Sequence, residues 1–124
     1  MNKLINSNDL VKKLKFANKI VSLSHGVFDL IHHGHLRHFE EIKKKSDILV
    51  VSVTVDDFVK KGSGRPYFSL KDRLYALSKI ELIDYIVESK SLSSVDIIKK
   101  IKPNFYIKNC FVNKFNFKFS TRDL

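Results

Sequence analysis

The sequence has little of what marks secreted or membrane-bound chains. It contains a single cysteine, Cys110, so no internal disulfide can form, which fits a reducing compartment such as the cytoplasm. No apolar run approaches the ~20 residues that a membrane-spanning helix needs. The first eight residues lack the continuous apolar stretch and the small-residue cleavage site of a secretory signal. From these features we expect a cytoplasmic protein with no membrane role.

Acidic residues are also few. The chain has 13 Asp and Glu against 23 Lys and Arg, which gives a net charge of +10. Such a surplus attracts anionic partners over a long range. The lysines are scattered rather than aligned with interleaved aromatic residues, so we do not expect nucleic acid as a partner. A lysine-rich solvated surface and a small anionic ligand remain equally good explanations.

A length of 124 residues suits a single domain, which we predict over residues 1–124. Apolar runs typical of strands alternate with segments of helical periodicity. We predict strands near 20–24, 48–54, 83–87 and 105–108, and helices at 8–18 (capped by Ser7 or Asn8), at 69–80 and at 93–101. A turn and the helix that follows it together run from 25 to about 45. This order predicts an α/β fold, a Rossmann-like doubly wound parallel sheet with helices on both faces. Its ligand crevice is expected at the carboxyl ends of the strands.

All five histidines lie in or just after one stretch, SHGVFDLIHHGHL at residues 24–36. An apolar run precedes the stretch and a helical pattern follows it, so the histidines are placed on a strand-to-helix turn. The first turn of a helix presents free N–H groups and the positive end of the helix dipole, which suits a phosphate. A zinc site is a weaker interpretation, because no cysteine or carboxylate completes a tetrahedral set at a recognisable spacing. We therefore predict no metal-binding residues here.

Residues 26–35, GVFDLIHHGH, resemble the signature G-x-F-D-x-x-H-x-G-H of the cytidylyltransferase-like nucleotidyltransferase superfamily. The resemblance continues through 62–66, 72–73 and 95–108, and covers about residues 20–108. It is greatest to the adenylyltransferase domain of ADP-heptose synthase, and next to glycerol-3-phosphate cytidylyltransferase. It implies transfer of CMP or AMP from the nucleoside triphosphate, CTP or ATP with Mg²⁺, to a phosphorylated sugar, polyol or similar small metabolite. Pyrophosphate is released, and similar enzymes are homodimers.

The resemblance also implies roles for individual residues. The predicted catalytic residues are His32, His35 and Lys61. The predicted nucleotide-binding residues are Gly26, Val27, Phe28, His32, Gly34, His35, Arg73 and Lys108. The predicted substrate-binding residues are Asp29, Lys60 and Arg65.

Several of these residues have structural alternatives. Asp29 is equally well explained as a turn aspartate that accepts backbone N–H groups. Arg73 is alternatively an exposed helix arginine. His33 holds the variable position of the motif and His38 lies one turn further along the helix, so both are predicted to be non-catalytic.

Beyond Lys108 the chain departs from the family pattern. Asn109 stands where relatives usually have a glycine, and the segment Ser120–Arg122 only faintly resembles their terminal Ser/Thr-rich signature. We therefore expect a carboxyl end that is truncated relative to the family. The alternative function is a truncated, non-catalytic domain of the same fold that binds a nucleotide or a partner chain.

Overall fold

The computed structural model describes residues 2–58, 66–91, 93–108 and 117–120. Its elements alternate along the chain as α1 (Ser7–Leu14), β1 (Val21–Gly26), α2 (His33–Lys44), β2 (Ile48–Thr54), a 3₁₀ helix (Asp56–Phe58), α3 (Leu70–Ser78), β3 (Tyr85–Ser89), α4 (Val95–Ile101), β4 (Phe105–Lys108) and β5 (Phe117–Ser120). No helix among these residues is long and apolar enough to cross a bilayer.

The strands form one sheet in the order β3-β2-β1-β4-β5. The β1 strand pairs in parallel with both β2 and β4, and β2 pairs in parallel with β3. The strand order therefore reverses between β1 and β4, which makes this the topological switch point of the sheet. The predicted doubly wound fold is confirmed. The sequence did not predict β5, which adds an antiparallel edge to β4.

Two hydrophobic clusters cover the two faces of the sheet. One face packs on α2 and α3 through side chains that include Phe39, Ile42 and Leu77. The other face packs on α1 and α4 through Leu10 and Ile101 among others. Side chains alternate between the two faces along each strand, and both faces are buried, so β2 reads as a continuous apolar run.

The structure corrects some predicted boundaries. The cap of α1 is Asn6 rather than Ser7 or Asn8, because the Asn6 side chain accepts the backbone N–H of Asp9 at 2.8 Å. The β1 strand extends to Gly26, because the ladders of β2 and β4 continue past the apolar run into the histidine stretch. The turn then occupies residues 27–32, and α2 follows from His33 to Lys44, within the predicted span of the turn and its helix.

Candidate active site

The amino-terminal end of α2 is built from the two predicted catalytic histidines. His32 is the N-cap, and its Nδ1 accepts the backbone N–H of Gly34 at 3.0 Å. In return, Nδ1 of His35 accepts the backbone N–H of His32 at 3.2 Å. This is the reciprocal pattern of a capping box, with imidazoles where Ser or Thr and Glu usually stand. The histidines therefore define where the helix begins and are held in place by it.

These two hydrogen bonds fix the tautomers of the rings. A nitrogen that accepts a hydrogen bond carries no proton, so in the neutral rings the proton resides on Nε2. The rings lie edge to face with centroids 4.5 Å apart. His32 is exposed, whereas His35 is 2% exposed and its Nε2 is buried. The His32 ring thus lies on the exposed side of the helix end, where a ligand can reach it.

Gly34 is required by the position of the His32 ring. A Cβ at residue 34 would lie 2.6 Å from Cε1 of His32, well inside van der Waals contact. Only glycine lets the ring rest against the first helical turn. The absence of a side chain at Gly34 thus makes room for the His32 ring, in addition to any role in the backbone.

Phe28 holds the turn between β1 and α2. Its φ is 54°, a left-handed conformation that is unusual for a bulky residue, and the side chain is 1% exposed. The ring packs against Phe39 and His35, with centroid distances of 5.9 and 6.1 Å. The turn below the histidines is therefore shaped by a buried aromatic side chain.

Asp29 connects the turn to the segment before α3. Its Oδ2 accepts the N–H of Tyr67 at 2.7 Å, and its Oδ1 accepts the N–H of Phe68 at 2.8 Å. The carboxylate is buried and uses both oxygens in these contacts. This is the role of a structural turn aspartate, although Tyr67 and Phe68 are distant in sequence. Substrate binding by Asp29 stays a prediction.

Arg73 is buried and joins several parts of the site. It is 1% exposed, so the alternative of an exposed helix arginine is wrong. Its guanidinium donates to the carbonyl oxygens of Phe68 (3.0 Å), Val27 (2.8 Å) and Thr54 (2.7 Å), and its Nη2 forms an ion pair with Asp56 at 2.5 Å. Nucleotide binding by Arg73 stays a prediction.

The remaining predicted residues divide into two groups. Gly26 ends β1 opposite Val53, and Val27 follows it as the acceptor of an Arg73 hydrogen bond. The backbone of Lys108 pairs with His25 at the end of β4. Lys60, Lys61 and Arg65, as well as Asn109, lie outside the described residues.

Electrostatics differ among the histidines. Burial lowers the pKa of His25 and of His38 below the usual 6.5, because desolvation disfavours the imidazolium. The first turn of α2 contains no acidic side chain that would oppose an anion. Within the described ranges, no group of three or more His, Cys, Asp or Glu side chains is placed to hold a metal ion.

Sequence reasoning missed three contributors to the site. Thr54 is the last residue of β2 and Asp56 follows it, and both contact Arg73. His25 was counted with the other histidines but given no role, although it sits at the carboxyl end of β1. Position at the carboxyl end of a parallel strand was the signal that could have found all three.

Comparison with known proteins agrees with this geometry. The profile of the cytidylyltransferase-like family matches residues 23–118, which is most of the chain. The chain belongs to the cytidylyltransferase-like family. The family predicted from the sequence is therefore confirmed, and membership supports nucleotidyl transfer as the general chemistry of the domain.

Relatives and a solved structure give the context. The chain is 35% identical over 101 residues to the bifunctional protein HldE of Aliarcobacter butzleri, covering 80% of this chain and 21% of that protein. It is 31% identical over 115 residues to the bifunctional protein HldE of Helicobacter pylori, covering 90% of this chain and 25% of that protein. It thus spans about a quarter or less of the length of these relatives. A lipopolysaccharide core biosynthesis protein from Thermoplasma volcanium superposes with a TM-score of 0.65 and 28% identity, over 72% of this chain and 73% of that one.

Proposed function

We propose that this domain transfers CMP or AMP from a nucleoside triphosphate to the phosphate of a phosphorylated sugar, polyol or similar small metabolite. One observation carries the proposal, the paired His32 and His35 rings at the amino-terminal end of α2 in a cytidylyltransferase-like fold. The similarity to bifunctional HldE proteins and to a lipopolysaccharide core biosynthesis protein favours an acceptor from surface-glycan synthesis.

The proposed reaction needs little covalent help from the protein. An oxygen of the acceptor phosphate attacks the α-phosphorus of the triphosphate in line, and the bond to the β-phosphate oxygen breaks as pyrophosphate leaves. The attacking group is already an anion, so no protein base has to remove a proton. Rate enhancement then comes from positioning and from donors aimed at the charge that develops on the phosphate oxygens.

The start of α2 fits that requirement. The exposed His32 ring offers its Nε2–H, and His35 holds the His32 backbone through its Nδ1. The helix dipole adds positive potential of about half an elementary charge at the same end. We assign stabilisation of the α-phosphate and the leaving group to this pair, with Lys60, Lys61 and Arg65 as further phosphate or acceptor contacts.

Magnesium enters this scheme only with the triphosphate. Both oxygens of Asp29, the carboxylate of the turn, are occupied by backbone N–H donors, so this residue does not offer a prepared magnesium site. Mg²⁺ in nucleotide sites commonly keeps several waters and takes phosphate oxygens as ligands. We therefore expect the ion to arrive as the nucleotide complex.

Pyrophosphate release tests the proposal. The parent chain is assayed with CTP and ATP, each with Mg²⁺, against a panel of sugar and polyol phosphates. We expect turnover with one triphosphate, and we expect His32→Ala and His35→Asn to lower kcat by about a hundredfold while affinity for the triphosphate changes much less. The asparagine variant keeps an acceptor near the position of Nδ1 and loses Nε2.

Lys61→Ala provides the contrast. A lysine that contacts ground-state and transition-state phosphate alike should raise KM along with any fall in kcat. Equal small losses in all three variants would remove the histidines from the catalytic role. Triphosphate binding without turnover for any acceptor would favour the alternative, a non-catalytic nucleotide-binding domain.

A further inference from the structure

A second histidine position lies in the crevice where the strand order reverses. His25 is the next-to-last residue of β1, and it pairs with Ser52 on β2 and with Lys108 on β4. The β1–β4 boundary is the switch point, and ligands of open α/β sheets bind outside the carboxyl ends of the strands at that point. His25 is therefore at the centre of the expected ligand edge.

The His25 side chain lies on the opposite face of the sheet from the start of α2. Leu23, two residues earlier, belongs to the cluster that packs on α1 and α4, and so does Val50, two residues before Ser52. Residues two apart on a strand share a face, so His25 and Ser52 continue this face beyond the apolar rows. The helix α2, which starts at the catalytic pair, packs on the other face. His25 thus borders the crevice from one side, and the histidines at the start of α2 border it from the other.

The ring of His25 is held from one side only. Its Nδ1 lies 2.5 Å from Oγ of the buried Ser52, and the ring is only partly buried. Within the described residues this is the ring's one hydrogen bond, and the side chain is not fully buried. One nitrogen is therefore fixed by the fold, and the other is available to a ligand.

The chemistry of the ring restricts what that ligand group can be. Desolvation lowers the pKa of His25, so the ring is neutral near pH 7. A neutral imidazole gives one hydrogen bond but no counter-charge, which makes it a poor partner for a triphosphate and a good one for an uncharged polar group. In a nucleotide the uncharged polar groups are the ribose hydroxyls and the edge of the base.

We propose that His25 is a specificity residue that hydrogen-bonds the nucleoside portion of the triphosphate through Nε2, with Ser52 as the positioning residue that sets the ring. The inference rests on the proposed function and extends it to the end of the nucleotide that the α2 histidines do not contact. Phosphates then lie above the start of α2, and the nucleoside lies across the ends of β1 and β4.

Calorimetry with probes that contain or lack the nucleoside separates binding of the nucleoside from binding of the phosphates. The probes are CTP, ATP and inorganic tripolyphosphate, each with Mg²⁺, titrated into the parent and into His25→Phe. We expect the variant to bind the preferred nucleoside triphosphate about three- to tenfold more weakly, the effect of one neutral hydrogen bond, and to bind tripolyphosphate unchanged. Ser52→Ala should show a smaller loss in the same direction. Ser22→Ala is the matched control, a buried β1 serine on the other face whose hydroxyl has no partner among the described residues.

Two further measurements make the test independent of one variant. The 2′-deoxynucleoside triphosphate distinguishes a contact with the ribose from a contact with the base. If parent and His25→Phe bind it equally well, the contact is with the ribose. If the ratio of CTP affinity to ATP affinity changes in the variant, the contact is with the base. Nitrogen NMR of histidine-labelled parent protein, with His25 assigned by His25→Asn, should show Nε2 shifting with nucleotide and not with tripolyphosphate, even if His25→Phe fails to fold.

The outcomes also separate the inference from the function on which it rests. A parent that binds no nucleoside triphosphate overturns both. The role of His25 alone is overturned if the parent binds a nucleoside triphosphate without an Nε2 shift, and if His25→Phe either binds that nucleotide equally well or loses affinity for tripolyphosphate to the same degree.

Discussion

Arg73 donates a hydrogen bond to the carbonyl oxygen of Val27 at 2.8 Å, and this fastens α3 to the turn that follows β1. The same guanidinium also reaches Thr54 and Asp56, at the end of β2. Three separate parts of the chain therefore meet on one buried cation beneath the predicted nucleotide site.

Arg73→Lys should destabilise the fold. A lysine keeps the charge but cannot direct donors to several oxygens at once, and each lost charge-assisted bond costs about 1.5–3 kcal/mol. We expect the free energy of unfolding in urea to fall by at least about 2 kcal/mol. Arg37→Lys, at an exposed position on α2, is the control and should change it by less than about 0.5 kcal/mol. A raised KM with unchanged stability would instead support the predicted phosphate contact.

Gly34→Ala should disturb the site while leaving most of the fold intact. The added methyl group would lie 2.6 Å from Cε1 of His32, so the ring has to shift from its observed position. If pyrophosphate release is confirmed, kcat should fall by about as much as in His32→Ala, roughly a hundredfold. His33→Ala in the same turn is the control. Wild-type kcat in Gly34→Ala would show that the observed ring position is not the working one.

Stability should decline as the pH drops below neutrality. The pKa of His25 and of His38 is lowered by burial from 6.5, so below about that pH the unfolded chain binds protons that the folded chain does not. Stability from these groups is fully present above about 6.5 and is lost as the pH falls towards their folded-state pKa values. Urea unfolding at pH 7.5 and 5.5 measures the loss, which should shrink in His38→Gln and stay unchanged in the exposed control His33→Gln. A loss of the same size in His38→Gln would contradict this assignment.

The chain should form a homodimer through the surface beside the turn. Leu30 in the turn and Leu36 in the first part of α2 are exposed, and the exposed Phe68 lines a pocket of about 330 Å³ with Phe28 and Ile31. Exposed apolar groups near one another mark interaction surfaces. Sedimentation at tens of micromolar should give a dimer for the parent and a monomer for Leu36→Glu. Phe16→Glu, at a residue 85% exposed on the chain after α1, should remain dimeric, and a monomeric parent would contradict the proposal.

Local pattern predicted most of the fold and the position of His32 and His35 at a strand-to-helix turn. The β2 and β4 strands have the predicted limits, because continuous apolar runs of their length are readable without tertiary information. The end of β1 could not be predicted from the sequence, because His25 and Gly26 belong to the strand only through their pairing with neighbouring strands. The burial of Arg73 depends on oxygens 17 to 46 residues away, and such contacts leave no periodicity in the sequence. The reciprocal caps formed by the two histidines were not predicted, because a capping box usually consists of Ser or Thr with Glu.

The left-handed backbone of Phe28 links the stability of the core to the shape of the site. A bulky residue held at positive φ stores about 1–3 kcal/mol, which persists only while its surroundings hold it there. Those surroundings include the ring's own contacts with Phe39 and His35, and the hydrogen bonds of the neighbouring Val27 and Asp29. Truncating the Phe28 side chain would therefore leave a cavity in the core, and the backbone of the turn would also relax to an ordinary conformation. A substitution at residue 28 would therefore change the position of the His35 ring as well as the packing of the core.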